Sequence, residues 1–245
     1  MELKLNNFPP YAIHLCSTGF TLIKKSRSSD NHICETYKSA TLSALDRECG
    51  VFFGEAIDNE EIHILSNAMA PVLVPKEIFQ KPASQYLALQ HDLADNETIF
   101  EDTIADYIAI YPFSISKLTQ IQRTIQHPVF HHTTAFLYKE LTAFKSECQH
   151  KLLLLLDNDT ADFVFLHENQ LRLINRFKFT TQDDILYYVL NILLQHQINT
   201  EDCAVLFAGE IEDKEKSLRF FKKYLPHAQD AVSALNSQIT NHGSL

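Results

Sequence analysis

Glycine is scarce in this sequence: Gly19, Gly50, Gly54, Gly209 and Gly243 are the five in a chain of 245 residues, against an ordinary usage of about 7%. A loop that wraps a phosphate needs glycine, because its backbone must reach positive φ and approach the ligand with no Cβ in the way. With so few available, no glycine-rich loop can be drawn, and GxGxxG and GxxxxGK[ST] are both absent. Long apolar runs are missing as well. None approaches the roughly 20 residues of a membrane-crossing helix, and the opening MELKLNNFPPYAIHL lacks a basic segment followed by a long apolar one. Neither membrane insertion nor export is therefore expected. The five cysteines, Cys16, Cys34, Cys49, Cys148 and Cys203, are odd in number and form no CxxC pair. That pattern predicts free, mostly buried thiols in a reducing compartment, and so a cytoplasmic location.

Positive charge is also in deficit, with 21 basic against 31 acidic side chains and a net charge of −10. Nucleic-acid backbones and anionic membranes are repelled on average by such a surface, so no nucleic-acid partner is expected. Two basic clusters remain, Lys24, Lys25 and Arg27, and Lys214, Lys216, Arg219, Lys222 and Lys223. The second lies on a predicted helix among acidic neighbours and reads as a solvated face. What is present is ordinary for a folded protein, 45% apolar and 21% charged residues, at a length that suits one large domain or two modest ones.

The hydrophobic pattern predicts an α/β chain. Strands are expected at Tyr11 to Cys16 and Phe20 to Lys25, as a hairpin turning at Ser17, Thr18 and Gly19, and near Ile33 to Lys38. A helix from about Ser39 to Phe53 and a strand from Glu61 to Ser66 follow. Between 71 and 126 come an apolar segment bounded by Pro71 and Pro75, a helix KEIFQ started by Pro75, a helix from Ser84 to Gln90, strands at Thr98 to Ile104 and Asp106 to Tyr111, and a helix from Ser116 to Gln126. Val129 to His132 reads as a brief strand before a helix from Thr133 to Cys148.

The second half repeats the opening. Leu152 to Leu156 is a short, continuous apolar run, the signature of a strand buried on both faces. Strands around Phe163 and Phe165 and from Leu171 to Phe179 follow. Thr181 with Asp184 three residues on marks a helix start, and Ile185, Tyr188, Val189, Ile192 and Leu193 form its apolar stripe. Leu186, Leu190 and Leu194 widen that stripe and imply contact on a second side. A strand at Cys203 to Ala208, Gly209, and a helix from Asp213 to Tyr224 stopped by Pro226 complete the pattern; residues 228–245 carry no assignment. The order β-β-β-α-β-α thus occurs twice, predicting two tandem subdomains, residues 1–149 with an insertion around 71–126, and residues 150–245.

Repeated in this way, that order resembles the ribonuclease-H-like unit of the actin-like ATPase superfamily. The stretches RLINRFKFTTQDDILYYVLNILLQHQIN and AVLFAGEIEDKEKSLRFFKKYL, with LVPKEIF and a following YL at Val72 to Leu87, resemble a Bacteroidetes family of uncharacterised proteins grouped with the actin-like ATPase fold. A more distant similarity is to the cytoplasmic actin-like subunits of pilus-assembly and type II secretion platforms, which bind partners. The resemblance implies mixed sheets flanked by helices and a bacterial cytoplasm, and names no activity.

In active members of the superfamily, each half holds phosphate and metal on a strand turn carrying Asp, Gly and a hydroxyl residue. The matching first turn here is Cys16, Ser17, Thr18 and Gly19, with no acid. The second is Asp157, Asn158, Asp159 and Thr160, with no glycine. The superfamily's adenosine side uses two glycines after a strand, and only Gly209 stands there. Ser17, Thr18, Gly19, Asp157, Asp159, Thr160 and Gly209 are therefore vestigial cofactor-site candidates, and no cofactor is expected. As plain structure, Asp157 to Asp159 turn a hairpin and Gly209 makes a tight strand-to-helix turn. His127, His131 and His132 crowd one segment, but adjacent residues of a strand point to opposite faces, so at most two could share a metal. Asp183 and Asp184 read as helix-end electrostatics.

Together these readings lean away from an enzyme. They favour a non-catalytic scaffold or adaptor that binds an unknown protein through its interdomain cleft or an apolar surface. The alternative is a metal-dependent nucleotide sensor or ATPase using Asp157, Asp159 and Thr160. A homodimer through a strand edge or the helix carrying Phe220, Phe221 and Tyr224 is a third expectation, set against a core role for Leu218, Phe221 and Leu225.

Overall fold

The computed structural model describes residues 2–3, 9–16, 18–26, 32–38, 42–67, 69–209 and 213–231. The chain divides into two compact units, Met1–Phe136 and Leu137–Leu245. In the first, β1 (Glu2–Leu3), β2 (Tyr11–Cys16), β3 (Gly19–Lys25) and β4 (His32–Lys38) precede α1 (Leu45–Phe53), α2 (Ala56–Asn59) and β5 (Ile62–Ser66). Then come β6 (Val72–Pro75), α3 (Ser84–Leu87), β7 (Glu97–Ile104), β8 (Tyr107–Ser114), α4 (Ile115–Thr124), β9 (Pro128–His132) and α5 (Thr133–Ala143), which runs past residue 136. The second unit continues with β10 (His150–Asp157), β11 (Thr160–His167), β12 (Gln170–Lys178), α6 (Gln182–Gln195), β13 (Cys203–Gly209), α7 (Lys214–Lys222) and β14 (Ala228–Asp230).

Among the described residues, one sheet has the order β1-β4-β3-β2-β5-β9 and another β12-β11-β10-β13-β14. In each, three antiparallel strands in hairpin succession are joined on one side by two parallel ones, β5 and β9 or β13 and β14. Apart from the edge strand β1, the two sheets share one topology. The insertion is a separate sheet, β6-β8-β7, closed over its own small core of Val72, Val74, Leu87 and Ile110.

The central strands explain themselves. In β2, Ile13 and Leu15 join Phe20, Leu22, Ile64 and Phe52 on one face, while Ala12 meets Ile23, Cys34, Leu65 and Phe136 on the other. The leucine run forms β10, and Leu152, Leu153, Leu154 and Leu156 are all buried, as a strand covered on both faces requires. Each fully buried leucine contributes about 1.5–3 kcal/mol, so this run anchors the second unit. Burial likewise pushes the thiols of Cys49 and Cys203 up to about 12 and that of Cys34 up to about 11, which keeps them protonated and inert.

Helix α6 starts as its sequence dictates. Thr181 Oγ1 accepts from Asp184 N while the Asp184 carboxylate accepts from the amides of Thr180 and Thr181, a reciprocal cap. It ends in a Schellman motif: Ile198 N donates to Leu193 O at 2.9 Å and Gln197 N to Leu194 O at 3.0 Å. Gln197 holds φ +57 at the position where glycine is usual.

Several expected elements differ. KEIFQ is not a helix: Lys76 N extends the β6–β8 pairing by donating to Asp106 O, and one turn closes as Ile78 N and Phe79 N donate to Pro75 O. The Tyr86 hydroxyl then ends it, accepting from Gln80 N and donating to Ile78 O. The helix expected to Cys148 stops at Ala143, where the next carbonyl, Phe144 O, accepts from the Lys151 ammonium at 2.8 Å. The helix expected from Ser39 begins as a 3-10 turn at Leu42–Ala44, residues 39–41 lying outside the described ones. That expected from Ser84 to Gln90 is regular only to Leu87. Within the unassigned final stretch, Ala228–Asp230 pairs with β13; residues 232–245 lie outside the described ones.

Candidate functional site

The first turn joins β2 to β3, with Cys16 opposite Gly19. Ser17 lies outside the described residues, and Thr18 is exposed. Gly19 is needed for packing, since a Cβ there would lie 2.0 Å from the Tyr37 carbonyl oxygen of β4. Cys16 Sγ lies 3.6 Å from His14 Nδ1.

The second turn joins β10 to β11, with Asp157 opposite Thr160. Asn158 takes φ +52, a conformation asparagine tolerates better than most residues. Asp159 is exposed, and its carbonyl accepts from Phe179 N at 2.8 Å. The Thr160 hydroxyl donates to Asp157 O at 3.0 Å and accepts from Arg176 Nη2 at 2.6 Å. Arg176 Nη1 donates to both oxygens of Asp162, at 3.0 and 2.8 Å, and Nη2 stands 3.7 Å from Asp157 Oδ2. Charge-assisted hydrogen bonds between a guanidinium and a carboxylate are roughly twice as strong as neutral ones. Here the pair is also secluded, with the side chains of Asp162 and Arg176 only 1% and 10% exposed.

Gly209 ends β13 opposite Leu156, the residue before Asp157. It holds φ +88, and a Cβ would lie 2.1 Å from the Leu156 carbonyl oxygen. Asp157, Asp159, Thr160 and Gly209 are thus neighbours at one end of β10, β11 and β13, whereas Thr18 and Gly19 belong to the other unit.

Asp162 and Arg176 escaped the sequence reading, although a signal exists. Asp162 interrupts the apolar strand Ala161–Leu166, and a buried acid demands a cation. Finding the partner requires the register. Between β11 and β12 the pairing shifts by one residue at Phe165/Leu166, so that Asp162 faces Arg176; an unshifted hairpin would set Asn175 there and turn Arg176 to the opposite face.

The histidines disperse. His131 Nδ1 bonds to Asp102 and its Nε2 to His63 Nδ1, each at 3.1 Å, whereas His132 bonds to Thr134 and to Met69 O. Three others that the sequence reading did not single out converge: His150 stacks on His167 with centroids 4.5 Å apart, and His196 lies 6.0 Å from His167. Burial first, then the neighbouring imidazole of His167, holds His150 and His196 below the ordinary histidine range. Among the described residues, no group of three or more His, Cys, Asp or Glu side chains is placed to hold a metal ion.

Residues 56–228 match the family described as protein of unknown function (DUF3822). The chain belongs to that family. No curated protein matches this DUF3822 member. Among solved structures it is similar to a protein from Bacteroides thetaiotaomicron described as having an actin-like ATPase fold and unknown function, at TM-score 0.71 and 19% identity over 93% of this chain and 95% of that one. It is also similar to a chain of the PilM–PilN type IV pilus biogenesis complex, at TM-score 0.59 and 12% identity over 92% and 90%. A third likeness is to the ethanolamine utilization protein EutJ from Carboxydothermus hydrogenoformans, at TM-score 0.52 and 6% identity over 94% and 88%. At such identities these likenesses establish the fold, that of the actin-like ATPases, as the strand orders imply. No helix among the described residues is long and apolar enough to cross a membrane.

Proposed function

We propose that this DUF3822 chain is a non-catalytic member of its fold, a cytoplasmic scaffold or adaptor that works by binding another protein. The observation that carries the reading is Arg176. Its guanidinium binds Asp162 and Thr160 and stands beside Asp157, so the turn that would offer a carboxylate to Mg²⁺ already holds a cation of its own. A triphosphate with its metal fits these residues badly. Both glycines near the turns are taken up by close strand contacts, no acid stands in the sequence of the first turn, and the sequence offers no glycine-rich loop whose amides would offset the charge of Asp157 and Asp159. The PilM–PilN complex supports the partner-binding side of the reading, as a case in which a chain of this fold is found with another protein.

Calorimetric titration with ATP and Mg²⁺ up to millimolar concentration is expected to show no saturable heat, and prolonged incubation to release no phosphate above buffer. Micromolar affinity accompanied by turnover would overturn the proposal in favour of a metal-dependent nucleotide sensor or ATPase.

A further inference from the structure

On α6 the second apolar stripe anticipated from Leu186, Leu190 and Leu194 is only half satisfied. Leu186 is buried, but Leu194 is 75% exposed and Tyr187, on the same helix, 63%. Beyond the helix end, the Schellman turn folds Ile198 back over Leu193. Leu190, Leu193, Leu194 and Ile198 then line an open groove of about 710 Å³, whose far wall is Asn199 to Asp202. The groove is apolar along the helix and acidic on that wall, with Glu201 and Asp202 both exposed.

We propose that this groove is a docking site for an amphipathic, basic segment of a partner protein. Its apolar side chains would lie along Leu190, Leu194 and Ile198 and its lysines or arginines against Glu201 and Asp202, the helix-in-groove mode of recognition. Charge selects this occupant over a second copy of the chain. A two-fold contact through the groove would bring a second pair of these carboxylates into the same small patch, on a molecule whose net charge is already −10. The inference deepens the adaptor reading by stating the partner's chemistry, and its test is independent of nucleotide.

Two fluorescein-labelled peptides of about 15 residues, long enough for a marginal helix, serve as probes: one of leucine and lysine, the other with the same apolar face and glutamate for lysine. Anisotropy is expected to show saturable binding of the leucine–lysine peptide alone, weakened at least about tenfold by Leu194→Asp and by Ile198→Asp. The double variant Glu201→Gln, Asp202→Asn is expected to weaken it and to flatten its salt dependence. Leu194 is largely exposed, so Leu194→Asp is expected to keep the parent circular dichroism and melting profile. Absence of binding at 100 micromolar, or binding unaffected by Leu194→Asp, would overturn the proposal. So would sedimentation showing a dimer that Leu194→Asp dissociates, since the groove would then be a contact between copies.

Discussion

At the scale of single residues, scarce glycine leaves the chain making tight turns with other residues. Ala105, Asn158, Glu168, Asn169, Gln197 and Asp213 all hold positive φ, a conformation that strains a residue bearing a Cβ. Gly209 is needed where it stands. Gly209→Ala would carry a side chain at φ +88 and drive its Cβ to 2.1 Å from the Leu156 carbonyl oxygen. It is expected to cost about 2–4 kcal/mol, read as a lowered midpoint in urea. Arg176→Met is expected to cost about 3–5 kcal/mol in the same measurement, because Asp162, 1% exposed, loses the guanidinium that donates to both of its oxygens. The cost of burying the Asp162 carboxylate is why a basic residue sits beside it.

At the scale of elements, the two ends of α6 make opposite predictions. Thr181→Ala removes the hydroxyl that accepts from Asp184 N and is expected to destabilise by about 1 kcal/mol. Gln197→Gly relieves a residue at φ +57 and is expected to stabilise by about 0.5–1 kcal/mol; thermal melts of the two variants should bracket the parent. The histidines where β10, β11 and α6 meet predict a pH dependence. His150 and His196 are held below 6.5 in the fold, with His167, Glu168, Asp202 and Arg172 as their charged or titratable neighbours. The unfolded chain therefore binds more protons, and their contribution is complete above about pH 6.5 and lost progressively as pH falls below it. Melting temperature is expected to drop between pH 7 and 5, and the slope to flatten in His150→Gln and His196→Gln whatever those changes do to stability at neutral pH. The same α6 shows where periodicity succeeds and where it stops. The stripe Ile185, Val189, Ile192 and Leu193 is buried as its spacing predicts, whereas the exposure of Leu194 depends on what else packs there. KEIFQ fails as a helix for the same reason, since its backbone bonds go to Asp106 and Tyr86, partners supplied by other elements.

At the scale of the whole molecule, net charge is legible without any structure. With −10 spread over 245 residues, gel-shift titration with duplex DNA at low salt is expected to show no complex at micromolar protein, and a retarded band would contradict it. The duplicated strand order was legible too. Apolar alternation, the leucine run of β10 and the turns between strands are local properties, and pairing of sequential neighbours follows from them. What the sequence by itself determined is the repeated β-β-β-α-β-α order, without the edge strand β14, together with the cap of α6, the buried thiols of Cys34, Cys49 and Cys203 and the lack of a glycine-rich loop. Tertiary structure alone decided that Asp162 meets Arg176, that three distant histidines converge, and that Leu194 remains uncovered. Each of these depends on register or on the packing of remote elements. A one-residue shift in β11–β12 is enough to turn a side chain from one face of a sheet to the other, and no local pattern in the chain encodes it.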